Sequence, residues 1–172
     1  MEQTLYFAYG SNINLGQMEY RCPDASVVGP VTLENYELLF RRGGFATIAP
    51  KEGETVQGLL WNLTPECERS LDRYEGYPRF YDKQMVTVRD SEGRSLSVMV
   101  YIMDERFREP MLPTESYYNG ILEGYRQNGL PVAALKKAWE RAVQEVHQET
   151  ERINASIFDR PKPPKRRGSH DR

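Results

Sequence analysis

Residues 81–103, YDKQMVTVRDSEGRSLSVMVYIM, constrain the fold more than any other stretch of the chain. Two runs of alternating apolar and polar residues flank the turn-forming DSEGRS, and period-two alternation puts every second side chain on one face of a strand. Such a pair forms an antiparallel hairpin. Further β-rich runs precede it: TLYFAYG, then SVVGPVTLENYELLFRR with alternation at Tyr36, Leu38 and Phe40, then FATIAP and TVQGLLWNLT separated by KEGE. With KEGE read as a hairpin turn, the count is about six strands.

Helical signals are sparse early and dominate late. NLGQMEYR reads as a short helix stopped by Pro23. Thr64-Pro65-Glu66 supplies a hydroxyl cap, a proline at the first helical position and an acid in the first turn. Cys67, Leu71 and Tyr74 then share a face, and Gly76 is the expected C-terminal cap. A third helix is expected from a Thr114 cap to the Asn128-Gly129 stop. The fourth is long and amphipathic, with Leu135, Trp139, Ala142, Val143, Val146 and Ile153 at helical spacing. That stripe is expected to pack on the protein's own sheet; the same face allows a homodimer. Strands first and helices later define an α+β domain, a curled sheet or small mixed or antiparallel β-barrel flanked by helices.

A chain of 172 residues, 39% of them hydrophobic, suits one core. We expect a single domain over residues 1–158 and a disordered Pro/Lys/Arg tail over 159–172. The tail carries six Lys/Arg against two Asp, which leaves 17 basic and 23 acidic residues before it. A body near -6 presents no basic footprint for nucleic acid. No apolar run approaches the ~20 residues of a membrane span, and the N-terminus shows no leader pattern. Two cysteines, Cys22 and Cys67, form no zinc spacing and no disulfide framework, which suits a reducing, cytoplasmic setting.

Absences narrow the chemistry. The histidines are His147, in the long helix, and His170, in the tail, so a Ser-His or Cys-His nucleophile pair has almost no raw material. YFAYGSN, Tyr6 to Asn12, leads from a strand through Gly-Ser-Asn into a helix start, where backbone N–H groups suit a carboxylate, phosphate or carbonyl oxygen. The same residues also suit a plain strand-to-helix turn capped by Ser11 or Asn12. Glu75, in LDRYEGYPRFY, stands at the unfavourable end of a helix for a carboxylate. It is either a solvated acid, paired with Arg73 or Arg79, or a base whose pKa is raised by the helix terminus and by Tyr74, Tyr77, Phe80 and Tyr81. Spacing alone decides neither case.

YFAYGSN, ATIAP, VQGLLWNLT, LDRYEGYPRFY, VMVYIM and the Y-x3-I-x2-G-x3-NGLP pattern from Tyr117 to Pro131, in that order, resemble the γ-glutamylcyclotransferase-like family over about residues 5–135. The last pattern looks closest to the γ-glutamylcyclotransferases proper. The resemblance implies a small barrel with flanking helices, no cofactor and no metal, and a small-molecule γ-glutamyl substrate that yields 5-oxoproline and a free amine. It assigns Glu75, in the match to L-D-x-x-E-G, the general acid/base role. It places the glutamyl moiety at Tyr9, Gly10 and Ser11 with the preceding Tyr6, Phe7 and Ala8, and adds Tyr101 as a lining residue; Tyr81, which the resemblance does not assign, is a further candidate to shape the pocket. Two alternatives stay open: a γ-glutamylamine or tailoring cyclotransferase acting on a larger metabolite, and a non-catalytic anion-binding module.

Overall fold

In chain order the elements are β1 (Thr4–Ala8), α1 (Leu15–Arg21), β2 (Ser26–Arg41), β3 (Phe45–Leu63), α2 (Pro65–Glu75), β4 (Tyr81–Asp90), β5 (Ser95–Met103), α3 (Glu115–Gln127) and α4 (Val132–Phe158). They come from a computed structural model that describes residues 2–161 and 163. The five strands close into a barrel in the order β1-β3-β2-β4-β5. Short apolar β1 is the closing stave: it pairs antiparallel with β3 along its whole length and meets β5 in parallel at Tyr6 and Met99. The β4–β5 hairpin has the register its alternation dictates, from Tyr81 opposite Met103 to Arg89 opposite Ser95.

The strand count is five, one fewer than the sequence suggests, because KEGE is not a turn. β3 runs through it, and β2 runs unbroken opposite, with the register shifting between Glu34 and Tyr36. Asn35 takes up the mismatch in a left-handed conformation, φ +62°, and its Oδ1 accepts the Gly53 N–H at 3.1 Å. These four residues therefore form a bulge within one bent hairpin. That bend carries the tip of the hairpin, Phe45 and Ala46 included, to the cavity described below.

The helix starts follow their caps. Thr64 accepts from the Cys67 N–H at 3.2 Å and Thr114 from the Tyr117 N–H at 3.2 Å, while Asn14 caps α1 through the Gln17 N–H. Gly76, φ +65°, ends α2 in the left-handed conformation that glycine adopts freely. On α4 the buried residues are Leu135, Ala138 and Ala142. Trp139 and Val143 of the expected stripe are 40% and 37% exposed, and Ile153 is 48% exposed. A helix of 27 residues is about 40 Å long. Its first half crosses β2, held by Arg141 against Glu37 and Glu54 and by Glu145 against Arg41; from residue 150 to 158 it has no buried residue. Among the described residues no helix is long and apolar enough to cross a membrane. The expected tail, 159–172, lies outside the described residues apart from 159–161 and 163.

Candidate active site

β1 ends inside the barrel wall at Ala8, and the chain then turns through Tyr9 and Gly10 into a single 3-10 turn, Ser11–Ile13. The turn is held from all sides. Trp61 Nε1 donates to the Asn12 carbonyl at 3.0 Å, Asn128 Nδ2 donates to the Ile13 carbonyl at 3.0 Å, and Asn14 Nδ2 donates to the Gly120 carbonyl at 2.9 Å. α3 lies directly on it: a Cβ on Gly124 would stand 2.8 Å from the Asn14 backbone nitrogen. Among the described residues no acceptor engages the N–H groups of Gly10, Ser11 and Asn12, so this fixed turn offers three donors.

α2, capped at its end by Gly76, brings Glu75 up to the same turn. Glu75, Gly10, Ser11 and Asn12 line one cavity of about 140 Å³. Its remaining wall is aromatic: Tyr6, Tyr9, Phe45, Tyr74, Phe80, Tyr81, Tyr101 and Tyr117, with Ala46 between them. Asn12 Nδ2 reaches Glu75 Oε1 at 3.3 Å and the Tyr6 hydroxyl at 3.0 Å. Burial pushes the Glu75 carboxyl up to about 7, against the opposing pull of the Arg21 charge and the Asn12 hydrogen bond. Glu75 is therefore no surface acid paired with Arg73 or Arg79.

The phenols divide by what their protons do. Tyr9 donates to the Tyr101 carbonyl at 2.6 Å, Tyr81 to the Ala46 carbonyl at 2.6 Å, and Tyr101 to Asp72 Oδ1 at 2.6 Å. Those three are spent on the wall. Tyr6 and Tyr117 instead accept, from Asn12 Nδ2 and from the Ala46 N–H at 3.1 Å, and among the described residues no acceptor takes their own protons. Burial is the main force that holds all five well above the ordinary phenol range, so they are neutral donors.

Of the residues singled out in the sequence, Glu75, Tyr6, Tyr9, Gly10, Ser11, Tyr81 and Tyr101 meet at this cavity. Phe7 and Ala8 do not line it. Strand alternation turns Phe7 into the core, where it covers Gly58 so closely that a Cβ there would lie 2.1 Å from Phe7 Cε2. Tyr77 stacks on Lys83 outside the cavity, with Nζ 4.5 Å from the ring centroid. Asn12 entered the sequence reading only as a helix cap, and Tyr117 and Asp72 only as motif positions, without a role in the site. Asp72 accepts from Lys83 Nζ at 3.0 Å as well as from Tyr101, and so fixes the Tyr101 ring from behind. Its signals in the sequence are the D of the L-D-x-x-E-G match and its place one helical turn before Glu75. A larger hollow of about 530 Å³, lined by Tyr36, Arg41, Asp82 and Gln84 among others, holds none of these residues.

The fold has counterparts among solved structures. A structure described as "Gamma-glutamyl cyclotransferase" superposes with a TM-score of 0.73 and 30% identity, covering 80% of this chain and 86% of that one. Curated relatives named gamma-glutamylcyclotransferase from Bos taurus and Homo sapiens are 33% and 31% identical over 147 residues, 79% of this chain and 77% of theirs. The family model "Gamma-glutamyl cyclotransferase, AIG2-like" matches residues 6–119. The chain belongs to that family.

Proposed function

We propose that this protein is a γ-glutamylcyclotransferase in which Glu75 moves the protons. The observation that carries the reading is a single tyrosine-walled cavity lined both by Glu75 and by the Gly10-Ser11-Asn12 turn, whose N–H groups no acceptor among the described residues engages. The substrate is a small γ-glutamyl amine or γ-glutamyl amino acid. Its own α-amine attacks the γ-carbonyl carbon, the bond from that carbon to the leaving nitrogen breaks, and 5-oxoproline and a free amine result. Holding the glutamyl chain bent supplies the orientation that ring closure needs.

An α-amino group titrates near ~8, so the attacking amine first sheds a proton. A carboxylate near neutrality accepts it and returns it to the departing nitrogen, and the second proton that the attacking nitrogen loses on becoming the ring amide follows the same route, so the amine leaves as its ammonium ion. The N–H groups of Gly10 and Ser11 serve the substrate's carboxylate or the oxyanion that develops on the γ-carbonyl. The free protons of Tyr6 and Tyr117 add neutral donors to the same negative charge. Tyr101 and Tyr81, locked by their own hydrogen bonds, shape the wall.

The test is release of 5-oxoproline from a panel of γ-glutamyl dipeptides and γ-glutamyl amines, run with the wild type and with Glu75→Gln. The variant should keep the fold and lose at least about a hundredfold in turnover. Near-wild-type release by Glu75→Gln would remove Glu75 from the mechanism, and no release from any donor would remove the activity. The donor used fastest identifies the leaving amine.

A further inference from the structure

Glu75 has a cation near it yet, among the described residues, no ion pair. Arg21, the last residue of α1, makes no salt bridge to Glu75 and does not line the catalytic cavity. Its Nη1 donates to Asn12 Oδ1 at 2.6 Å and to Ser11 Oγ at 3.1 Å. Its guanidinium lies 3.8 Å from the centroid of Tyr74, the residue before Glu75. Its own carbonyl accepts from Ser70 Oγ of α2 at 2.9 Å. One residue thus ties α1, the Ser11–Ile13 turn and α2 together.

The contact with Asn12 settles which way that buried amide faces. An arginine donates only, so the atom it meets is the amide oxygen, and both amide hydrogens are turned toward Tyr6 and Glu75. Asn12 is 3% exposed and has no other arrangement that satisfies it. Glu75 Oε1 is then occupied, and among the described residues no donor engages Oε2. Resting on the reading of Glu75 as the acid/base, we infer that Arg21 is a positioning residue: through the Asn12 amide it fixes the carboxylate, leaves Oε2 as the oxygen that carries the proton, and stays one side chain away from it.

The separation matters chemically. An opposite charge in direct contact lowers a carboxyl pKa by about 1–3 units, which would leave a base too weak to deprotonate an ammonium. Without any cation, burial alone would carry Glu75 higher and keep it protonated over more of the neutral range. The other groups that face Glu75 are phenols, Tyr6, Tyr9, Tyr81 and Tyr101 from the strands and their ends and Tyr117 from α3, and all are neutral at physiological pH. Arg21 is the charge that tunes this site.

The experiment compares the pH dependence of kcat and KM for the wild type, Arg21→Gln, Arg21→Lys and Glu75→Gln, with γ-glutamylalanine as donor and 5-oxoproline as readout. In Arg21→Gln the acidic limb of kcat should move up by about one pH unit. At its optimum kcat should fall by about tenfold or more while KM changes less than about threefold. Arg21→Lys, which retains a cation that donates, should hold the limb within about half a unit of wild type and recover part of kcat. A folded Arg21→Gln with an unshifted limb overturns the inference. If Arg21→Gln does not fold, an Arg21→Lys limb shifted as far as one unit overturns it, and an unshifted one with reduced kcat supports it. The underlying reading fails separately, by activity surviving in Glu75→Gln.

Discussion

At the scale of single residues, the acid/base role proposed for Glu75 sets function against stability. Its carboxyl is raised from the ordinary value to about 7 in the fold. The sign follows directly: the folded protein holds this proton more tightly than the unfolded chain, so stability is full below about pH 4.5 and declines as pH rises through about 7. Glu75→Gln, isosteric and uncharged, escapes that decline. Above pH 7 the variant should be more stable than wild type by about 2–3 kcal/mol in urea unfolding, and the difference should vanish near pH 4. A wild type that matches the variant at pH 8 would show that the carboxylate is solvated after all.

At the scale of elements, α2 works as a lever carrying two acids with different partners. Glu75 faces the cavity, while Asp72, one turn earlier, holds Tyr101 and Lys83 and so joins α2 to β5 and β4. Asp72→Asn keeps an acceptor for Tyr101 and removes the charge facing Lys83, a pair whose side chains are about three-quarters buried. It should cost about 1–2 kcal/mol in thermal unfolding and raise KM several-fold as the Tyr101 wall loosens, with a smaller effect on kcat. Local signals of this level were legible in the sequence. The Thr64 and Thr114 caps, the Gly76 stop and the β4–β5 alternation all depend on neighbours within a few residues, and each stands as read. What escaped depends on partners far along the chain. KEGE looks like a turn until Asn35 is seen opposite it, and Asn12, Asp72 and Tyr117 gain their places from contacts with Glu75, Tyr101 and Ala46. Glu75 itself was ambiguous by position, because the cavity it lines is built by residues 6, 9 and 12 as well as by its own helix.

At the scale of the whole molecule, the barrel and the helices that clamp it form the working unit, and α4 extends past it. Residues 150–158 have no buried side chain, so they contribute little to the core. A chain ending at residue 150 should melt within about 2 °C of the full protein and retain its 5-oxoproline release. A fall of more than about 5 °C would mean that the distal turns are packed against something in solution, a second copy included. Leu135, Ala138 and Ala142, by contrast, seal the barrel and belong to the unit that the truncation leaves intact.

The five cavity phenols carry a consequence that is spectroscopic. A phenolate absorbs at longer wavelength than a phenol, and Tyr6, Tyr9, Tyr81, Tyr101 and Tyr117 are all held neutral by their burial. In an alkaline titration they should stay silent until the barrel opens, then ionise together as their pKa values fall back to about 10. The ultraviolet difference signal of these tyrosines is thus a label-free gauge of the active cavity's integrity, and its midpoint should coincide with loss of the circular dichroism of the fold.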